Sequence, residues 1–397
     1  MDRIRICQLI TELQPAGAER CVYELARRLD RDRFDVQVAA LRGGEVANWL
    51  ADAGVRVTVL GMRGKWDLPR LARLGELLRR ERIQILHTHL FHADLAGRAF
   101  AHAAAVPHVV HTVHVAEARF RPWQFAFARL TANRCDRIVA VSKAVRNHHA
   151  RLAGLPHWRY QVILNGIDIA AYQADPPAGS ELRRRLGIGE NEIVLAFVGR
   201  LDRQKGIDVL LSAMSHLGAR GKPIRLIIAG DGPRRFQVES FMRHGEGGRH
   251  THWLGRVQDV RGVLSAADIF VMPSRWEGLP LAAVEAMAAG RPVIGTRVSG
   301  LTEVLDGGRA GMLIESEDVV ALAEAVEHLA SDAQKRAELS KIGHQFAIER
   351  FSIEANIKSH EQLYMQIACV SRTSCPREPQ ASRKQDVTTR GRDARAT

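Results

Sequence analysis

The 397-residue chain is poor in cysteine, in long apolar stretches and in acidic residues relative to basic ones. Its five cysteines, Cys7, Cys21, Cys135, Cys369 and Cys375, are odd in number and include no C-x-x-C pair, which argues against a disulfide framework and a thiolate zinc site. No apolar run approaches the roughly 20 residues needed to cross a bilayer. The opening "MDRIRICQLITEL" alternates like a strand and lacks the long apolar core of a signal peptide, so a cytoplasmic location is expected. No short-period repeat and no low-complexity tract precedes residue 371. An acidic metal site is also missing: "DRD" at 30–32 imitates D-x-D but closes a basic helix, where solvation explains it.

With 46% hydrophobic and 25% charged residues, the chain is long enough for two cores. Strand-like apolar runs alternate with helix-length segments. In the first half they are "RIRICQLI", "DVQVAAL", "VRVTVLG", "IQILHTH", "HVVHTVH", "RIVAVS" and "QVILNG". In the second they are "EIVLAFVG", "IRLIIAG", "THWLG", "DIFVMPS", "PVIGT" and "GMLI". Such alternation with right-handed crossovers predicts α/β architecture with two parallel, doubly wound sheets. The expected division is a first domain over 1–172, a linker over 173–190 around "ADPPAGS", and a second domain over 191–350. Helices are expected at about 317–350 and 352–369, the last (351–370) free to pack back on the first domain, and residues 371–397 read as a disordered basic tail.

The net charge of +13 favours anionic partners without choosing among them. Residues 119–159 hold nine Arg or Lys against one Asp, interleaved with Phe120, Trp123, Phe125, Phe127 and Trp158. Within "RPWQFAFARLTANR", Trp123, Phe127 and Leu130 fall at helical spacing beside Arg121, Arg129 and Arg134. That pattern suits a helix lying on anionic lipid, and equally a core helix with a solvated basic face.

The stretch "EGLPLAAVE" puts Glu277 and Glu285 eight positions apart. Upstream is an apolar strand, and downstream "AMAAGRPVIGT" supplies a helix end and a new strand, so Glu277 sits in a strand-to-helix loop and Glu285 inside the helix. Glu285 is flanked by Ala282, Ala283, Val284, Ala286, Met287, Ala288 and Ala289, which leave it no polar face to join. A carboxylate there costs several kcal/mol unless it is paired.

Ligands of doubly wound sheets bind outside the carboxyl ends of the strands. There this chain places "QPAGAE" before a free helix N-terminus, "GRLDRQKG" with Arg200 and Lys205, the turn "GDGP", the Glu277 to Glu285 element, and His114. Singly, each reads as a turn or surface charge. Together, cations and helix N-termini would neutralise a diphosphate, and two glutamates would accept hydroxyl hydrogen bonds worth about 1.5–3 kcal/mol each.

"GRLDRQKG", "AGDGP", "WLGRV", "AADIFVMPSRWEGLPLAAVEAMAAGRPVIGT" and "NGID" resemble, in order and approximate spacing, the retaining glycosyltransferases of family four, which have the GT-B fold. The resemblance covers roughly residues 3–350, with the first half more divergent. It implies a nucleotide-sugar donor, with UDP the commonest base in the family and GDP the alternative, held mainly by the second domain, and a glycan or lipid-linked acceptor held mainly by the first. By the same resemblance Glu277 would contact the transferred sugar and Glu285 the ribose, while Arg200 and Lys205 would hold the diphosphate. Leu281 and Ala282 would lie near the phosphates, Val257 near the base, Gly17 in the loop approaching the diphosphate, and His114 near the C6 hydroxyl and reacting centre. No metal or other cofactor is expected. The family often has two glycines where this chain reads "AGAE" and "SGL", with Ala16 and Ser299 as the small replacements.

Three other readings compete. His87, His89, His92, His111 and His114 could ligate zinc in a hydrolase, although no matching carboxylate set accompanies them. A nucleotide-sugar epimerase would use the same architecture. A non-catalytic basic protein would bind nucleic acid with strong salt dependence, a partner the motifs give no reason to expect.

Overall fold

The computed structural model describes residues 3–64, 67–115, 121–173, 175–221 and 224–370. The expected basic tail, Cys375, and positions 119 and 120 of the aromatic basic stretch lie outside the described residues. Two all-parallel sheets are present. The first contains β1 (Ile4–Ile10), β2 (Phe34–Ala40), β3 (Arg56–Val59), β4 (Ile85–His89), β5 (His108–Val113), β6 (Arg137–Ala140) and β7 (Tyr160–Val162), in the order β3-β2-β1-β4-β5-β6-β7. The second contains β8 (Ile193–Val198), β9 (Ile224–Ala229), β10 (Thr251–Trp253), β11 (Ile269–Met272), β12 (Val293–Thr296) and β13 (Met312–Ile314), in the order β10-β9-β8-β11-β12-β13. Each sheet reverses its winding next to its first strand, at β1/β4 and at β8/β11, which opens a crevice at the strands' carboxyl ends.

Central strands buried on both faces need apolar residues at successive positions. Leu9 and Cys7 of β1 pack with Leu86 and with Leu74 and Ala93 from helices on one face. Ile6, Ile85, Val110 and Val139 point to the other, where they meet Ile357, Leu363, Tyr364 and Ile367 of the last helix, Ile353–Val370. The chain that has completed the second sheet therefore returns to cover the first. Main-chain hydrogen bonds from Ile167 N to Phe351 O (2.9 Å) and from Ile353 N to Ile167 O (2.9 Å) fix that crossing.

The segment 173–190, expected as a linker, contains the helix Pro176–Arg185. Its prolines sit in the first turn, where no N–H is needed, and Asp175 caps it by accepting from Ala178 N at 3.2 Å. Arg183 then anchors it to the second domain through Asp268 at 2.7 Å. The helix expected over 317–350 is two helices, Val319–Ser331 and Ala333–Arg350. At the break Asp332 leaves helical geometry (φ −111°, ψ 90°) and accepts from Lys335 N at 2.8 Å, which makes it the cap of the second.

Candidate active site

The carboxyl ends of the two sheets meet. Ser142, after β6, donates through Oγ to Gly278 O at 2.9 Å. Glu303 of the second domain accepts from the main-chain N–H of Lys143 (3.1 Å) and Ala144 (3.2 Å). Gly278 itself faces the main chain of His114 so closely that a Cβ would lie 2.2 Å from His114 O, so only glycine fits between them. His114 is thereby held beside the loop that carries Glu277.

Within the second domain Lys205 Nζ lies 2.7 Å from Glu277 Oε1, and Glu277 is 4% exposed. Gln204 Nε2 donates to Trp276 O at 3.0 Å and approaches Glu277 Oε2 at 3.4 Å, so the carboxylate has two polar neighbours from the loop after β8. Gly206 lets that loop turn with φ +66° against Pro273 O, where a Cβ would sit at 2.0 Å. Arg200 is not part of this cluster. It is exposed and pairs with Asp202.

Glu285 is also buried, and its missing partners are found in the first domain, one of them at its very end. Arg20 Nη1 and Tyr172 OH both donate to Glu285 Oε1 at 2.8 Å. Leu281 and Ala282 are half-buried in the first turn of the helix Leu281–Ala288, whose leading N–H groups have no preceding helical carbonyl. Gly17 opens the helix Gly17–Arg28, is exposed, and would meet no atom within 4 Å if given a Cβ. Val257 is half-buried, and its neighbours Arg256 and Gln258 reach Glu45 of the first domain at 3.1 and 3.3 Å.

The structure therefore joins Lys205 to Glu277 and places His114 against Gly278, while Arg200 and Gly17 are exposed and stand outside that cluster. Sequence reasoning missed Arg20, Tyr172 and Gln204. Arg20 directly follows "QPAGAE" and Gln204 lies within "GRLDRQKG", but nothing in the spacing pairs Arg20 with a carboxylate 265 positions away.

The histidines do not converge on one point. Side chains alternate along a strand, so His87 and His89 share one face of β4, while Thr88 and His111 share the other. His111 Nδ1 is 3.0 Å from Thr88 Oγ1 and 3.3 Å from Asp94 Oδ1, beside the buried Asp94–Arg98 pair at 2.8 Å. Among the described residues no group of three or more His, Cys, Asp or Glu is placed to hold a metal ion. Burial pushes His111 down to about 4 and His114 down to about 3, so both rings are neutral at physiological pH.

Comparison with known proteins agrees with this architecture. Residues 15–171 match Glycosyltransferase Family 4, and residues 180–346 match Glycosyl transferases group 1. The chain is 29% identical over 386 residues to the alpha-maltose-1-phosphate synthase of Mycolicibacterium smegmatis, covering 88% of this chain and 96% of that protein. It is 25% identical over 385 residues to the UDP-Gal:alpha-D-GlcNAc-diphosphoundecaprenol alpha-1,3-galactosyltransferase of Escherichia coli, covering 92% and 97%. The crystal structure of Anabaena Alr3699/HepE in complex with UDP and glucose superposes with a TM-score of 0.83 at 24% identity, over 92% of this chain and all of that one. The fold is GT-B. The chain belongs to the family-four, group 1 glycosyltransferases and is a glycosyltransferase.

Proposed function

We propose that the protein transfers a sugar from a nucleoside-diphosphate donor, a UDP-sugar first among candidates, to a hydroxyl of a glycan or lipid-linked acceptor with retention at the anomeric carbon. The observation that carries this reading is the Lys205–Glu277 pair at 2.7 Å, next to the Gly278–His114 contact that closes the crevice. In this reading the second domain binds the donor. Glu285 takes the ribose hydroxyls, Val257 flanks the base, and the first-turn N–H groups at Leu281 and Ala282 face the phosphates, which Gly17 approaches from the other domain. Lys205, with Arg200 swinging in from its exposed position, neutralises the charge that grows on the departing diphosphate. Preorganised charge of this kind is usually the largest contribution to catalysis, and no metal cofactor is invoked. Glu277, held by Lys205, accepts hydroxyl hydrogen bonds from the transferred sugar, and His114 meets the same sugar from the acceptor side.

The surface of the first domain supports the lipid-linked acceptor in this reading. The helix Pro122–Leu130 exposes Trp123 (54%) and Leu130 (83%) beside the exposed Arg121 and Arg129, and Trp158 (68%) is exposed in the same basic segment. A surface of that composition suits the interface of an anionic membrane. The reading places the enzyme peripherally on the inner face of the cell membrane, in bacterial surface polysaccharide or glycolipid synthesis. The Escherichia coli relative, named for a diphosphoundecaprenol-linked acceptor, supports it. Among the described residues no helix is long and apolar enough to cross a membrane.

The test is a thermal-shift screen of nucleotide sugars, followed by product analysis with polyprenyl-diphosphate sugars and soluble glycans as acceptors. Transfer with retained configuration supports the proposal. A new sugar nucleotide formed from donor alone would make the protein an epimerase, and no nucleotide-sugar binding at all would overturn the reading.

A further inference from the structure

The face of the first sheet that meets the last helix is apolar at Ile6, Ile85 and Val110, then turns polar toward the strands' carboxyl ends. Gln8 of β1, His87 and His89 of β4, Thr112 of β5 and Tyr364 of the helix Ile353–Val370 are all at most 3% exposed there, and His114 is 9% exposed. They form one continuous chain of hydrogen bonds. Gln8 Oε1 lies 2.7 Å from His89 Nε2, and His89 Nδ1 lies 3.0 Å from His114 Nε2. In the other direction Gln8 Nε2 donates to Tyr364 OH at 2.9 Å, Tyr364 OH meets His87 Nδ1 at 2.6 Å, and His87 Nε2 meets Thr112 Oγ1 at 2.6 Å.

The chain has a direction. An amide oxygen only accepts, so His89 carries its proton on Nε2 and donates it to Gln8. Burial pushes His89 well below its usual range, and a neutral imidazole has one N–H. His89 Nδ1 is then a bare acceptor, and His114 must supply the proton between them from its own Nε2. His114 is neutral for the same reason, so its Nδ1 is left with a lone pair. That atom is buried and has no hydrogen-bond partner among the described residues. Buried polar atoms are nearly always satisfied, and a specific exception calls for an occupant. This one belongs to the residue packed against Gly278, one position from Glu277.

We propose that Gln8 and His89 are positioning residues that hold His114 as its Nε2–H tautomer, so that the bare Nδ1 accepts a hydrogen bond from a hydroxyl of the transferred sugar. The second half rests on the donor reading given above; the first half does not. His114 is on this account an acceptor toward the sugar and not a proton donor to it. Tyr364 extends the same support into the last helix, 356 positions from Gln8, which gives the returning helix a part in the site as well as in the core.

The full-length protein labelled with nitrogen-15 histidine tests this without any substrate, His114 being assigned by the signal lost in His114→Gln. The expected spectrum shows His114 protonated at Nε2 and unprotonated at Nδ1. A proton on Nδ1 in the unsubstituted protein overturns the proposal whatever the enzyme's activity. Gln8→Leu and His89→Leu should each mix the two tautomers and lower kcat/KM by about 10–100-fold, the scale of other lost positioning contacts. His89→Asn, whose oxygen can stand in for Nδ1, should restore the tautomer and most of the rate. Gln8→Leu provides the reading if His89→Leu does not fold. Normal kcat/KM in the leucine variants would overturn the positioning role. The expected tautomer in a protein that turns over no nucleotide sugar would instead overturn the donor reading and the sugar contact with it.

Discussion

Arg20 Nη1 lies 2.8 Å from Glu285 Oε1, so a helix of the first domain neutralises a carboxylate buried in an otherwise apolar helix of the second. Tyr172 OH shares the same oxygen at 2.8 Å. Arg20 is 42% exposed at its side chain, so the pair is only partly desolvated, and its removal should cost about 1–2 kcal/mol, well below a fully buried pair. Arg20→Met is expected to show that loss in chemical denaturation, and Arg20→Met combined with Glu285→Gln should lose less than the sum of the single changes. Strict additivity would show that the contact does not couple the domains. On the proposed donor reading, Glu285→Gln should also weaken binding of the donor's nucleoside diphosphate about 10-fold, read by calorimetry with UDP as the first probe, because hydrogen bonds to a charged acceptor exceed those to a neutral amide.

Glu277 and Lys205 should be indispensable for turnover and unequal for stability. Glu277→Gln keeps the shape and a hydrogen-bonding partner for Lys205, while Lys205→Ala leaves a carboxylate that is 4% exposed without its cation. Each change should lower kcat by about 100-fold or more. Lys205→Ala alone should destabilise by about 3 kcal/mol, and adding Glu277→Gln should recover most of that stability without recovering activity. Normal turnover by either single variant would remove that residue from the mechanism.

How much of this was legible beforehand depends on which interactions are local. Each strand among the described residues overlaps an apolar run visible in the sequence, most plainly the central ones, because a parallel strand buried on both faces cannot hide its composition. The helix Pro176–Arg185 was hidden by Pro-Pro-Ala-Gly-Ser, a linker composition whose prolines are in fact tolerated at a first turn capped by Asp175. The break at Asp332 carries no glycine or proline to announce it. Glu277 and Lys205 could be nominated from their loops, but the partners of Glu285 and the Gln8–His89–His114 chain exist only once two sheets and a returning helix have docked. The cluster of histidines invited a metal reading until strand alternation divided it, with His87 and His89 on one face and His111 with Asp94 on the other.

Membrane association should depend on the outer face of the helix Pro122–Leu130. Trp123 and Leu130 are seven positions apart, about two helical turns, and both are exposed. Burying a large apolar side chain is worth roughly 1.5–3 kcal/mol. Trp123→Ser with Leu130→Ser should therefore reduce partitioning onto vesicles containing phosphatidylglycerol by at least about 10-fold in a sedimentation assay. Arg129→Glu should reduce it further at low salt than at high salt. Equal binding of all variants would show that this face does not meet lipid.

Stability should respond to pH through two sets of buried groups with opposite sign. Burial pushes His111 to about 4, His114 to about 3 and His360 to about 4, and His87 and His89 well below 6.5, so these rings stay neutral in the fold. The unfolded chain takes up their protons below about pH 6.5, so their contribution is present above that pH and lost as pH falls toward the folded values. Glu19 behaves in reverse. It is 4% exposed on the sheet-facing side of the helix Gly17–Arg28, and burial, with a smaller push from Glu12, raises it from 4.5 to about 7. Between those values the folded state holds a proton that the unfolded state has released, so stability from Glu19 is full below pH 4.5 and lost as pH rises through 7. Glu19→Gln, which mimics the protonated form, should match the unsubstituted protein near pH 4.5 and exceed it at pH 8 by up to about 3 kcal/mol. Denaturation curves for both proteins across that range measure the difference directly, and a gap that does not change with pH would show that Glu19 is ionised throughout.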